Sequence, residues 1–158
     1  MKAEEICQEL ERLRADGAPL GGLLTSAVEL LHDTNVCFDW TGIYELYPDN
    51  VLRLGPFIGA ATDHVFIAVG NGLCGTAVAE RRNINIPDVA EVENYLACSA
   101  STRSELVILI RRRDKIFAQI DIDSQTRNAF SDGTVETVEQ VAGWLAEAYQ
   151  ARDLACRS

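Results

Sequence analysis

Residues 105–122 read E-L-V-I-L-I, then R-R-R-D-K, then I-F-A-Q-I-D-I. Two almost unbroken apolar runs of strand length, separated by a short charged segment, specify a β-hairpin. The lack of in-and-out alternation says that both faces of these strands are covered. They are therefore central strands, and the rest of the chain must supply a layer for each face. Arg111, Arg112 and Arg113 fall at the hairpin turn, so this basic cluster reads as a solvated tip. With a formal net charge of −10, the chain lacks the cationic surface that binding to a phosphate backbone requires, and no nucleic-acid partner is expected.

The covering layers are legible on either side of the hairpin. Ile6, Leu10 and Leu13 recur at helical spacing until Asp16-Gly17 breaks the pattern, and Leu20 to His32 carries a second broad apolar face. Near the C-terminus, Ser131 and Asp132 are capping candidates for a helix whose stripe is Val135, Val138, Ala142, Leu145 and Tyr149. Between these lie a strand from Val36 to Leu46, the turn Tyr47-Pro48-Asp49-Asn50, a strand from Val51 and another from Val65 to Val69. A short helix over Thr76–Glu80 follows the glycine-rich segment Gly70 to Gly75, and Asn83 to Ile86 forms a further strand. The long aperiodic stretch from Pro87 to Arg103 reads as a functional loop.

This order implies an α+β fold, with a central, mostly antiparallel sheet flanked by N-terminal and C-terminal helices. At 158 residues, 47% apolar and 24% charged, the chain suits one domain over 1–158. Its helices occupy 3–32, its sheet and active-site loops 36–124, and its last helix 132–154. No apolar window approaches the roughly 18 residues of a membrane span. Met1-Lys2-Ala3-Glu4-Glu5 opens a charged segment rather than a signal peptide. No membrane partner is expected, and the expected location is cytoplasmic.

Chemistry concentrates on the hairpin. Asp121 and Asp123 are two apart in a strand and share a face, while Ile120 and Ile122 share the other. If the turn is the three residues Arg112 to Asp114, Glu105 falls opposite Asp121 and joins that face. A D-x-D pair is more commonly a strand end emerging into solvent. Three acids on one face would instead raise the tendency of one to hold a proton, as a general acid or an ammonium-binding cluster requires.

Five cysteines at irregular positions form neither a disulfide framework nor a zinc motif, so no metal is expected and any role must lie in thiol reactivity. Cys7 fits the buried side of the first helix and Cys37 an apolar strand, both as small hydrophobes, and Cys156 lies near a fraying terminus. Cys74 stands in G-x-G-x-C-G at a helix start, where amides and the helix dipole lower a thiol pKa and bind carboxylates. Cys98 lies in a polar loop seven residues before Glu105 with Arg103 nearby, which makes it the stronger nucleophile candidate.

Trp40-Thr41-Gly42-Ile43-Tyr44, Leu54-Gly55-Pro56-Phe57, Gly72-Leu73-Cys74-Gly75-Thr76-Ala77, Pro87-Asp88-Val89, Ala97-Cys98, Ser104-Glu105 and Asp121-Ile122-Asp123-Ser124 occur in that order. Together they resemble the GAF-domain free methionine-(R)-sulfoxide reductases, and the 24-position separation of Cys74 and Cys98 matches that family. The resemblance, from about residue 36 to residue 130, implies a single GAF domain that reduces free L-methionine-(R)-sulfoxide to methionine.

By that resemblance Cys98 is the nucleophile, passing through a sulfenic acid and then a disulfide. Glu105, Asp121 and Asp123 bind the substrate ammonium and assist protonation of its oxygen. Trp40 and Tyr44 wall the thioether end, although core packing explains Tyr44 nearly as well. Amides from Leu73 to Gly75 hold the carboxylate. The implied cofactor is none beyond an external dithiol such as thioredoxin. A homodimer is left open.

The chain departs from the family pattern at three places. His64 stands where members usually carry a further cysteine, which removes the preferred resolving thiol. Ser99 replaces the usual aspartate after Cys98, and the strand after Ser104-Glu105 lacks the usual proline. Two other readings compete: a non-catalytic GAF sensory or binding module for an amino-acid-like ligand, supported by His64, and a redox switch built on a Cys74–Cys98 disulfide.

Overall fold

In the computed structural model, described for residues 1–93 and 100–156, six strands form one antiparallel sheet in the order β3-β2-β1-β6-β5-β4. The strands are β1 (Trp40–Leu46), β2 (Val51–Ile58), β3 (Phe66–Ala68), β4 (Ile84–Ile86), β5 (Ser104–Arg112) and β6 (Lys115–Ser124). As the apolar hairpin demands, β5 and β6 lie inside the sheet, and their residues divide between two cores. Leu106, Ile108, Ile110, Ile120 and Ile122 face a helical layer of α1 (Ala3–Ala15), α2 (Leu20–His32) and α4 (Asp132–Cys156). Val107 and Leu109 face the opposite side, where α3 (Gly72–Glu80) packs with Leu73, Cys74, Ala77 and Val78. Among the described residues, no helix is long and apolar enough to cross a membrane.

Local chemistry sets the element ends. The Ser131 hydroxyl accepts the Thr134 amide at 3.2 Å, capping α4. At the β1–β2 turn, Asp49 Oδ1 accepts the Val51 amide at 3.2 Å and Asn50 takes a left-handed φ of 61°. The first strand starts at Trp40, four residues later than the aromatic and β-branched run suggests. Asn35 Oδ1 accepts the Cys37 amide at 2.9 Å and the Asn35 carbonyl accepts the Phe38 amide, forming a turn with Val36 on the outside. Cys37 therefore sits half-buried in this turn rather than in a strand.

α3 begins at Gly72, not Thr76. The glycines expected to precede the helix form its first turn, closed by the Gly75 amide donating to the Asn71 carbonyl at 3.0 Å. A Cβ at Gly75 would lie 2.5 Å from the Ala68 carbonyl oxygen. Only a glycine lets the chain after β3 lie against the helix start, where the Gly70 amide donates to the Gly75 carbonyl at 2.8 Å.

Candidate active site

The β5–β6 turn is two residues, Arg113 and Asp114, not three, because Arg112 pairs with Lys115 and a bulge after Ile110 takes up the extra residue. Glu105 consequently pairs with Asp123, and Val107 pairs with Asp121. The shift from the expected register is two positions. Two positions preserve the side-chain face, so Glu105, Asp121 and Asp123 do share one side of the sheet. β1 extends this face: Trp40 pairs with Asp123, Gly42 with Asp121 and Tyr44 with Gln119.

None of the three acids emerges into solvent. Glu105, Asp121 and Asp123 are 2%, 1% and 2% exposed, which overturns the strand-end reading of the D-x-D pair. β6 continues to Ser124, and the chain on either side seals its end. The Arg103 amide donates to the Ser124 carbonyl at 2.7 Å and the Asp39 amide to the Asp123 carbonyl at 3.0 Å.

Above these acids stands the first turn of α3. Ligating atoms of Cys74, Glu105 and Asp121 lie within 4.8 Å of one another. They line a small cavity of about 10 Å³ together with Tyr44, His64, Ile67, Asn71, Gly72 and Leu73. That lining contains no lysine or arginine. Burial pushes the Asp121 carboxyl above its ordinary range, and contacts with Glu105 and Cys74 pull it only partly back. With carboxylates and no lysine or arginine among its described lining residues, the cavity is rich in acceptors and favours a proton or an incoming positive group.

Gln119, two residues before Asp121 on the same face, reaches up to the helix. Its buried Nε2 donates to the Cys74 carbonyl at 3.0 Å. It thus fixes the height of α3 over the sheet. The alternation that picked out Asp121 and Asp123 extends to Gln119, and that periodicity was the available signal for this residue.

Trp40 and Tyr44 are both buried on this face, with ring centroids 6.2 Å apart, and Trp40 also stacks on Phe57 at 5.5 Å. The Trp40 indole leans across Gly42, where a Cβ would meet its ring at 2.4 Å. Both aromatics hold down the segment between β2 and β3. Trp40 Nε1 donates to the Ala60 carbonyl at 3.1 Å and the Tyr44 hydroxyl to the His64 carbonyl at 2.7 Å. The Gly75 amide is committed to Asn71, leaving the amides of Gly72, Leu73 and Cys74 outside the intrahelical ladder at the α3 start. Cys98, the expected nucleophile, lies outside the described residues.

The fold has counterparts of known type. Residues 19–149 match the GAF domain family. The chain is 31% identical to the free methionine-R-sulfoxide reductase of Escherichia coli, over 94% of this chain and 89% of that one. A solved type II free methionine-R-sulfoxide reductase from Thermoplasma acidophilum superposes with a TM-score of 0.79 at 35% identity, over 84% of this chain and 93% of that one. The free methionine-R-sulfoxide reductase from Neisseria meningitidis, solved in complex with its substrate, superposes at 0.87 and 25% identity, over 97% and 91%. The chain belongs to the GAF-domain family of free methionine-R-sulfoxide reductases.

Proposed function

We propose that this protein reduces free L-methionine-(R)-sulfoxide to methionine with a cysteine thiolate, and that the Cys74–Glu105–Asp121 cluster is the heart of its substrate site. The observation carrying this reading is the convergence of three buried carboxylates on one sheet face beneath the first turn of α3, in a chain of this family. A free amino acid brings an ammonium to such a hole, whereas a peptide-bound residue brings a neutral amide. Discrimination therefore follows from leaving the buried carboxylates without their cation. The α3 start suits the substrate carboxylate, because first-turn amides and the helix dipole face an anion. Trp40 and Tyr44 suit the apolar thioether end.

In the chemical step, a thiolate, assigned to Cys98, attacks the sulfoxide sulfur while a carboxyl of the acid set protonates the oxygen. The oxygen passes to the cysteine as a sulfenic acid and methionine leaves as the thioether. A second thiol condenses with the sulfenic acid, forming a disulfide and releasing water. An external dithiol of the thioredoxin type then returns both sulfurs to thiols. With His64 at the family's usual cysteine position, Cys74 is assigned the resolving role. The cavity has room for about one water, so an amino acid enters only as its wall opens.

The test is methionine release from each epimer of free methionine sulfoxide with dithiothreitol. Release from the R epimer alone, lost in Cys98→Ser and reduced in Glu105→Gln, is the expected result. Equal turnover of both epimers, or good turnover of peptide-bound sulfoxide, would sink the proposal.

A further inference from the structure

Cys74, Glu105 and Asp121 come from three different elements, the first turn of α3 and the adjacent strands β5 and β6. One thiol sulfur and two carboxylate oxygens converge within 4.8 Å. A tetrahedral zinc ion with a Zn–S distance of about 2.3 Å and Zn–O distances of about 2.0–2.2 Å needs donor separations of roughly 3.3–3.6 Å. Side-chain rotations of about an ångström would close that gap. Asp121 is 1% exposed, and neither of its oxygens is met by an N–H donor. What reaches it are the Glu105 carboxyl and the Cys74 thiol, the other members of the cluster. Gln119 adds a further buried acceptor, Oε1, on the same face. The cavity of about 10 Å³ accepts a water or an ion and nothing larger as it stands.

We propose that Cys74, Glu105 and Asp121 form a binding site for a thiophilic divalent cation of the zinc class, with water completing the coordination. The thiolate selects against magnesium and calcium, which prefer all-oxygen shells. The Gln119 bond to the Cys74 carbonyl holds the sulfur donor over the two carboxylates. Binding exchanges protons for the metal, since the thiol and the carboxyls bind only as anions, so affinity rises with pH. Metal and substrate ammonium would compete for the same oxygens. That inhibition, though not the binding itself, rests on the reductase reading above.

The experiment is a Co²⁺ titration of the reduced, chelator-stripped full chain, read by the near-ultraviolet thiolate-to-cobalt absorption and by its loss when Zn²⁺ is added. The expected result is one cobalt per chain, with the band absent in Cys74→Ser and affinity at least about tenfold weaker in Asp121→Asn. Cys7→Ser, Cys37→Ser, Cys98→Ser and Cys156→Ser should all keep the band. Asp121→Asn, nearly isosteric, keeps the test valid if Cys74→Ser does not fold. No band at excess cobalt, a band surviving in Cys74→Ser, or a band lost in Cys98→Ser would overturn the site. Added methionine-(R)-sulfoxide should weaken cobalt binding. If the cobalt band behaves as expected while no methionine is ever released, the reductase reading fails and the metal site stands.

Discussion

Asp121→Asn separates what the acid cluster costs the fold from what it does for the reaction. Asp121 is fully enclosed between Gly42 on β1 and Val107 on β5, and burial raises its carboxyl above the ordinary range. A raised carboxyl pKa means that the folded chain binds its proton more tightly than the unfolded chain does. Below a pH of about 4 both states are protonated and nothing is lost. As pH rises beyond that, the unfolded state ionises first, so stability declines with pH until the folded carboxyl also titrates.

Asparagine cannot ionise, and its Nδ2 supplies a donor to a hole that holds mostly acceptors. The variant should therefore gain about 1–3 kcal/mol at pH 8, the cost typical of a buried, poorly satisfied polar group. That corresponds to a melting temperature higher by roughly 3–10 °C for a chain of this size. At pH 4 the gain should nearly vanish, and turnover should fall at every pH. Calorimetry of the metal-free protein at pH 4, 6 and 8 measures this. A variant less stable than the parent at pH 8, or equally stabilised at all three values, would refute the burial argument.

Two further outcomes follow from the start of α3. Gly75→Ala places a Cβ 2.5 Å from the Ala68 carbonyl oxygen and 3.0 Å from the Gly70 amide nitrogen, both backbone atoms. It should cost about 1–3 kcal/mol in urea denaturation and reduce turnover by moving Cys74, whereas Gly143→Ala, which meets nothing within 4 Å, should cost neither. Cys74→Ser should still release about one equivalent of methionine per chain without reductant, if it is the resolving thiol, but should fail in cycling driven by thioredoxin. Retained thioredoxin cycling would remove Cys74 from the resolving role.

The acid face was legible because strand parity survives an error in register. Counting a three-residue turn put Glu105 opposite Asp121, and the bulge after Ile110 moved it opposite Asp123. The two-position shift left all three carboxylates on one side. The two-sided core was readable for a similar reason, since unbroken apolar runs require a layer on each face whatever packs there. Periodicity says nothing, however, about which residue from another element will stand above a face. Cys74 reaches Asp121 because Gly75 lacks a Cβ, which lets the chain at Ala68–Gly70 close against α3, and because Gln119 grips the Cys74 carbonyl. In one dimension that glycine reads as loop punctuation before a helix. Its real constraint is steric, a carbonyl 2.5 Å from the atom it omits, and it becomes visible only when β3 and α3 are placed side by side. The same holds for Gly42, whose missing side chain makes room for the Trp40 ring beside Asp121. Charged residues marked the strands that carry the chemistry, and omitted atoms decided what could be brought to them.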